Sequence, residues 1–385
     1  MSGAVEHPVI ASMVAGTVRY ILSCTALDVG DGERVILADH RILPLSWTRD
    51  AYYQAQLLLA TAPSNDRATE TVAGHLRWLW GRARHGNGWR RSHLPDGRPK
   101  DHAITADQQL YPILELADYR RIVGDWPALP HASVASARES VPALAWGRMV
   151  AQVWRSLPRR GADGFLATEE NPADDPTDYP YTVSTQILFW YTALNLLPWS
   201  SELGIEDLRL GEAAEEIRDA VRRRFVRPGP FGPQWAYEID DAGAHRQFQD
   251  ANDLPTAFAP LLGFCSADDD VWRATMRFAF SRHNSMFVPG RFGGLGSAHT
   301  PGTWSLGDAQ ELAVAIATGD RDRLDSVLAR VAAIVGPDGL LPETYHPETG
   351  AWLARLWFAW PSAVLGSLGL GAVAPAAQPR SRPAG

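Results

Sequence analysis

Apolar residues in this chain recur at helical spacing in one segment after another, and loops rich in glycine and proline punctuate it from end to end. Thr71 to Gly81 puts Val72, Leu76 and Leu79 on one face, and Val141 to Leu157 and Arg323 to Gly336 follow the same rule. The intervening loops, among them HGNGWRRSHLPDGRPKDH, NPADDPTDYP, RPGPFGP and PGRFGGLGSAHTPG, are spread along the chain rather than gathered at one boundary. Sustained apolar/polar alternation is missing, as is any series of strand-helix units, which argues against a parallel α/β sheet. An all-α single domain over residues 1–371 accounts for the pattern, and the Pro/Ala-rich stretch 372–385 is expected to be a disordered tail. No exact internal repeat is visible, although divergent helix-loop-helix units would leave this signature.

With 385 residues, 45% of them hydrophobic and 21% charged, the chain can bury a sizeable core and has the balance of a soluble globular protein. A formal net charge of -8 gives no long-range attraction for phosphate backbones or anionic lipid, so nucleic acid and membrane are set aside as partners in favour of a small neutral molecule. Cys24 and Cys265 are too few for a disulfide framework and lack the spacing of a zinc site. The N-terminal MSGAVEHPVIASMVAGTVRY lacks the basic-then-apolar pattern of a secretory signal, and no unbroken run of 18 or more apolar residues occurs, so the expected location is the cytoplasm. The 15 tryptophans point toward carbohydrate, because exposed indole rings stack on the apolar faces of sugars.

Three stretches offer chemistry. In PLSWTRDAYYQAQLLLA, Trp47, Arg49 and Asp50 sit just before an apolar helical pattern. Asp50 would cap that helix, or Arg49 and Asp50 would hydrogen-bond sugar hydroxyls while Trp47 stacks on the ring. In EENPADDPTDYPYTV, Asp174, Asp175 and Asp178 lie in a Pro-broken loop leading into a helix. Glycoside hydrolysis needs a carboxylic acid to protonate the leaving oxygen, and neighbouring carboxylates raise one another's proton affinity toward that use; the alternative is a solvated acidic turn with Asp178 as the helix cap. In DGLLPETYHPETGAWLARLWFAWPSAV, Glu343 and Glu348 precede an aromatic-rich helix. Glu343 is the candidate for the base of an inverting mechanism, which holds a water across the ring with the two carboxyl groups about 6.5–9.5 Å apart. Glu348, followed by Thr and Gly, fits a surface turn. His299 in GSAHTP is a candidate for a substrate hydroxyl or a metal, or an ordinary polar loop residue. No GxGxxG follows a strand signal, and GxxxxGK[ST], HExxH and GxSxG do not occur, so nucleotide, zincin and serine-hydrolase readings lack support.

Together these stretches resemble glycoside hydrolase family 125, the metal-independent exo-acting α-mannosidases of the six-hairpin glycosidase superfamily. Trp47, Arg49, Asp50 and Ala51 match the family's W-x-R-D-[SA] helix start. ADQQLYPILELADY is similar to its [EL]-D-S-L-C-Y-P-x-x-L-A-Y segment through Asp107, Tyr111 and Pro112, and QDANDLPTAFAPLLGF to its D-D-A-N-x-P-S-L-L-S-L-P-Y-L-G through Asp250, Asn252 and Pro255. FGGLGSAHTPG is close to G-[IL]-G-S-P-H-T-P, and LPETYHPETGAWLARLWFAW to H-E-S-[FW] followed by T-R-P-W-F-A-W, which aligns His299, Glu343, Arg355 and Trp357. The matches keep one order from Pro44 to Gly366.

The resemblance implies an (α/α)6 barrel with long loops forming a pocket at one end, and an inverting exo-glycosidase that needs neither metal nor cofactor. It gives Glu343 the general-base role and places the general acid in the Asp174–Asp175 pair, which matches the family's S-D-D-A-C-x-Y-G-Y loop, with Asp174 ahead. Trp47, Arg49, Asp50, Asp107, Asp250, Asn252, His299 and Arg355 are implied to contact the saccharide. The chain departs from the family in having Pro-Glu-Thr for His-Glu-Ser, Gln249 for the first Asp of D-D-A-N, Gln108 and Gln109 after Asp107, and no W-P-[IM]-S-L helix after the HTP loop. Those positions line or adjoin the implied pocket, so an α-glucoside stands as the alternative to the expected α-mannoside; WTRDA also occurs in the glucoamylase-like family 15, which shares barrel and mechanism. A non-hydrolytic carbohydrate-binding barrel is the third reading.

Overall fold

The computed structural model describes residues 5–130 and 142–375. Among these, twelve α-helices have nine residues or more: α1 (Pro8–Tyr20), α2 (Thr48–Thr61), α3 (Asp66–Trp78), α4 (Tyr111–Val123), α5 (Pro142–Ser156), α6 (Val183–Leu196), α7 (Leu210–Arg224), α8 (Leu254–Leu262), α9 (Asp270–Ala279), α10 (Ser305–Thr318), α11 (Arg321–Ile334) and α12 (Ala359–Gly369). They alternate in character. Every residue of α6 and α12 is buried, as is α2 from Thr48 to Leu59, whereas α7 buries only Leu210, Ala213, Ala214, Ile217, Ala220 and Val221 and α11 only Val327, Leu328, Val331 and Ile334. A helix apolar on one stripe can cover a core but not occupy it, so the odd helices lie outside and the even ones inside. The inner helices pack in sequence, α2 on α4, α4 on α6, α6 on α8, α8 on α10 and α10 on α12, and α12 returns to α2.

Three inner helices start in the same way. Trp47, Thr182 and Trp304, which cap α2, α6 and α10, have φ -94°, -95° and -96° with ψ 136°, 142° and 137°. Each ends a two-residue strand, and each strand pairs antiparallel with another reached after the next outer helix: Ser46–Trp47 with Ser92–His93, Tyr181–Thr182 with Glu238–Ile239, and Thr303–Trp304 with Thr344–Tyr345. The unit strand, inner helix, outer helix, strand therefore occurs three times. Two residues cannot display alternation, which is why the strands are not readable in the sequence.

The expected helices Thr71–Gly81 and Arg323–Gly336 fall within or around α3 and α11; α5 covers the third except its two ends, Leu157 just past the helix and Val141 outside the described residues. Three features go beyond what the sequence leads one to expect. A helix does follow the HTP loop: α10 begins right after extended Trp304 because Leu306, Ala309, Leu312 and Ala313 are apolar and face the core. The chain from Ala372 does not leave the fold at once, since Val373 is buried and the Tyr191 hydroxyl donates to the Ala374 carbonyl at 3.1 Å; residues 376–385 lie outside the described residues. Pro8–Thr25 is long and apolar enough by mean hydropathy, 1.3, to cross a membrane, although Ser12, Thr17 and Arg19 break it as a run; half of it is buried inside the fold, where α1 packs on α12.

Candidate active site

A polar pocket opens where several inner helices begin. Trp47, Arg49 and Asp50 come from the start of α2, Ala173 and Asp174 from the loop before α6, Asn252 from just before α8, Trp304 from the start of α10, and Phe358 and Trp360 from the start of α12. His299, Glu343 and Arg355 complete the lining from loops. Helix N-termini expose N–H groups and carry partial positive charge, so their convergence favours the carboxylates gathered there. A second, small and mostly apolar pocket, deeper in the ring, is lined by Tyr52, Tyr53, Tyr191, Phe258, Leu262 and Val373 among others, with no carboxylate in its lining.

Arg49 organises one side of the polar pocket. It is buried, and its guanidinium lies 3.2 Å from Asp174, 3.5 Å from Asp107 and 3.9 Å from Asp50, with the Trp360 ring centroid 5.0 Å away. Burial opposes its charge, but Asp174, Asp107 and Asp50 more than offset this and hold it firmly protonated. One cation cannot neutralise three carboxylates. Burial pushes the Asp50 carboxyl up to about 7 against the pull of Arg49, and it also raises Asp107. Neither Asp50 nor Asp178 serves as a helix cap: α2 is capped by the extended main chain of Trp47, and Asp178 pairs at the surface with Arg246 at 2.8 Å. Several buried polar atoms here have no hydrogen-bond partner, namely Nε and Nη1 of Arg49, Oδ2 of Asp50 and of Asp107, and the indole nitrogens of Trp47 and Trp360. Donors and acceptors left open around one pocket suit a polyhydroxylated ligand.

The other side is built on Glu343. Its N–H faces the carbonyls of Ala354 and Arg355 at 3.0 and 3.1 Å, and its carbonyl accepts the N–H of Ser305, the first residue of α10, at 3.1 Å. Burial raises the Glu343 carboxyl, while Arg355, 3.5 Å away, and His299 favour its ionised form. Burial works against a charged His299, but Asp175 at 3.3 Å, Asp250 and Glu343 outweigh it and the net shift is upward. Asp250 accepts both N–H groups of Asn252, main-chain at 2.8 Å and side-chain at 2.9 Å, and so orients the amide that reaches the pocket. Arg355, like Asp174, has a positive φ, 44° and 63° respectively, a conformation that a residue with a Cβ adopts at a cost and that clusters at functional sites.

Of the residues singled out in the sequence, Trp47, Arg49, Asp50, Asp174, Asn252, His299, Glu343 and Arg355 line the pocket. Asp107 stands behind Arg49, Asp250 behind Asn252, and Asp175 against His299. Glu348 is exposed in a turn. Of the departures, Gln108 adjoins the site, its Nε2 3.4 Å from Asp174, whereas Gln249 is buried against Asn284 and Gln310 and Gln109 brackets Trp89. Trp304 is a pocket residue outside the sequence motifs, and Phe358 and Trp360 are pocket residues within the W-F-A-W motif that the resemblance does not single out as contacts. A signal exists all the same: T-W-S before α10 repeats the S-W-T before α2, and FAW opens α12. Among the described residues no group of three or more His, Cys, Asp or Glu side chains is arranged to hold a metal ion.

Known proteins share this architecture. The whole chain shares its fold with a solved Streptococcus pneumoniae metal-independent α-mannosidase in a non-productive complex with α-1,6-mannobiose: TM-score 0.78 and 19% identity, covering 96% of this chain and 95% of that one. A bacterial glucoamylase bound to acarbose matches at TM-score 0.72 and 14% identity, over 94% of this chain and 55% of the other. The meiotically up-regulated gene 157 protein of Schizosaccharomyces pombe is 23% identical over 219 residues, which is 56% of this chain and 43% of that protein, so the match spans less than half of the curated relative's length. Residues 156–370, more than half of the chain, match the family described as metal-independent alpha-mannosidase, GH125. The chain therefore belongs to the GH125 family of metal-independent α-mannosidases.

Proposed function

We propose that this protein is an inverting exo-glycoside hydrolase acting on α-mannosides, working on an (α/α)6 barrel with Asp174 as general acid, Glu343 as general base and no metal. The observation that carries the reading is that Asp174 and Glu343 line the same polar pocket, each beside an arginine of its own. Asp174 gives its proton to the glycosidic oxygen as the C1–O bond breaks. A water held by Glu343 attacks C1 from the other face and passes its proton to Glu343, so the product has the opposite anomeric configuration. Arg49, Asp50 and Asn252 supply hydroxyl contacts, and the indoles of Trp47 and Trp360 supply apolar faces and open N–H donors. A pocket floored by the inner helices accepts a chain end, which supports exo action. An α-glucoside is the second reading, supported by the fold shared with glucoamylase and by Gln108 beside Asp174.

Hydrolysis of a panel of α- and β-linked mannosides and glucosides in the presence of chelator, with the product anomer followed by NMR, tests the proposal. Release of β-mannose from α-mannosides, lost in Glu343→Gln, is the expected result. Retained configuration, or turnover unaffected by Glu343→Gln, would overturn it.

A further inference from the structure

The loop that carries Asp174 is shaped from within and gripped from without. Asn171 shapes it: its Oδ1 accepts the N–H groups of Ala173 at 2.8 Å and Asp175 at 3.1 Å, its carbonyl accepts the N–H of Asp174 at 2.9 Å, and its own N–H donates to the Asp175 carbonyl at 2.8 Å. Together these bonds support the left-handed conformation of Asp174, φ 63°. They do not fix where the loop sits against the pocket. Arg49 and His299 hold the side chains of Asp174 and Asp175. Arg91 grips the loop four residues before Asp174, where Nη1 donates to both carboxylate oxygens of Glu170 at 3.1 Å.

Arg91 is itself aimed. Its Nε and Nη2 donate to Asp101 at 3.3 and 3.0 Å, and Asp101 belongs to the same loop, closed by the Arg91 N–H to the Ala103 carbonyl at 3.0 Å and by the Ala103 N–H to Asp101 Oδ1 at 3.0 Å. The side chains of Arg91, Asp101 and Glu170 are only 25%, 27% and 19% exposed, so the pair is sheltered beyond an ordinary surface ion pair. Arg91 also occupies a defined place in the threefold repeat: it directly precedes the return strand Ser92–His93, as Glu343 precedes Thr344–Tyr345 and Tyr237 precedes Glu238–Ile239. In the third repeat this position supplies the base, and in the first a cation directed at the loop of the acid.

We propose that Arg91 is a positioning residue for the general acid, holding the Asp174 loop in register with the pocket through Glu170. The inference rests on the reading of Asp174 as the acid. A leaving alkoxide needs that proton, whereas fluoride departs from C1 without it, so loss of positioning must be selective for the leaving group. The test compares kcat and KM of wild type, Arg91→Met, Glu170→Gln and Asp174→Asn on an α-linked disaccharide and on the α-glycosyl fluoride of the same sugar. Arg91→Met and Glu170→Gln are each expected to lower kcat on the disaccharide roughly 100-fold, as an ångström-scale misplacement does, with KM and fluoride turnover within about threefold of wild type. Equal losses on both substrates, or no loss, in these variants while Asp174→Asn is selective would overturn the role of Arg91. Equal losses in Asp174→Asn would overturn the acid assignment and the positioning role with it. Glu170→Gln probes the pair from the loop side and decides the question in the same way where Arg91→Met does not fold.

Discussion

The main chain of Glu343 is tied to α10 on one side and to the strand Trp352–Ala354 and Arg355 on the other, so its side chain can change without moving its backbone. Glu343→Gln keeps the shape and removes the base; kcat on the preferred glycoside should fall by about 10²- to 10⁴-fold, with thermal unfolding close to wild type. The pH profile follows from the same surroundings. Glu343 must be ionised to take a proton from water, so the rate climbs with pH through its pKa, and burial puts that limb above the ordinary carboxylate range. His299, whose protonated form Asp175 and its neighbours favour, opposes the rise. His299→Ala should therefore move the acidic limb of kcat/KM to higher pH; a limb that stays or moves down would show that the histidine does not act on Glu343. The sequence motifs name Glu343 and His299, but spacing cannot separate Asp174 from Asp175. Their difference comes from the positive φ of Asp174, which turns one carboxylate toward Arg49 and the next toward His299.

At the scale of elements, helix legibility depends on having a solvent side. α7 and α11 show apolar stripes, and so does α5, whose Ala143, Trp146, Val150, Val153 and Trp154 share a face. The inner helix α6 is buried all round and reads only as a long apolar stretch. The strands before α2, α6 and α10 are illegible for a different reason: they are held by partners some 40 to 60 residues away rather than by local preference. Close approaches are equally hidden. Gly147 on the buried side of α5 faces the end of the short helix Ser200–Leu203 so closely that a Cβ would lie 1.8 Å from the Leu203 carbonyl oxygen. Alanine would gain about 1 kcal/mol of helix propensity yet force the two segments apart. Gly147→Ala should destabilise the fold by about 1–3 kcal/mol net in denaturant unfolding, while the folded fraction keeps wild-type kcat. A stabilised variant would mean that the short helix yields freely.

For the whole molecule, gathering the starts of α2, α8, α10 and α12 around one pocket concentrates buried carboxylates, and the cost appears in stability against pH. Asp253, which caps α8 through a bond to the Thr256 N–H, is pushed up to about 7 by burial, against the bonds from Thr256, and its Oδ2 has no partner. An unfolded aspartate titrates near 3.9, so between about pH 4 and 7 the folded chain holds a proton that the unfolded chain has lost. Stability from this group is therefore complete below the unfolded value and is lost as pH rises through about 7; Asp50 acts in the same direction. His75 and His93 act oppositely. Burial lowers them to about 3 and about 4, so stability is gained as pH rises toward the unfolded value near 6.5. The wild-type curve mixes the two, and the difference between wild type and Asp253→Asn separates them. Asparagine keeps the cap and cannot ionise. Relative to wild type, the variant should gain roughly 4 kcal/mol between pH 4 and pH 8, with most of the gain below pH 7. Parallel stability curves across that window would mean that Asp253 ionises in the folded protein as it does in the unfolded chain, and that the converging helix ends, rather than burial, govern its charge.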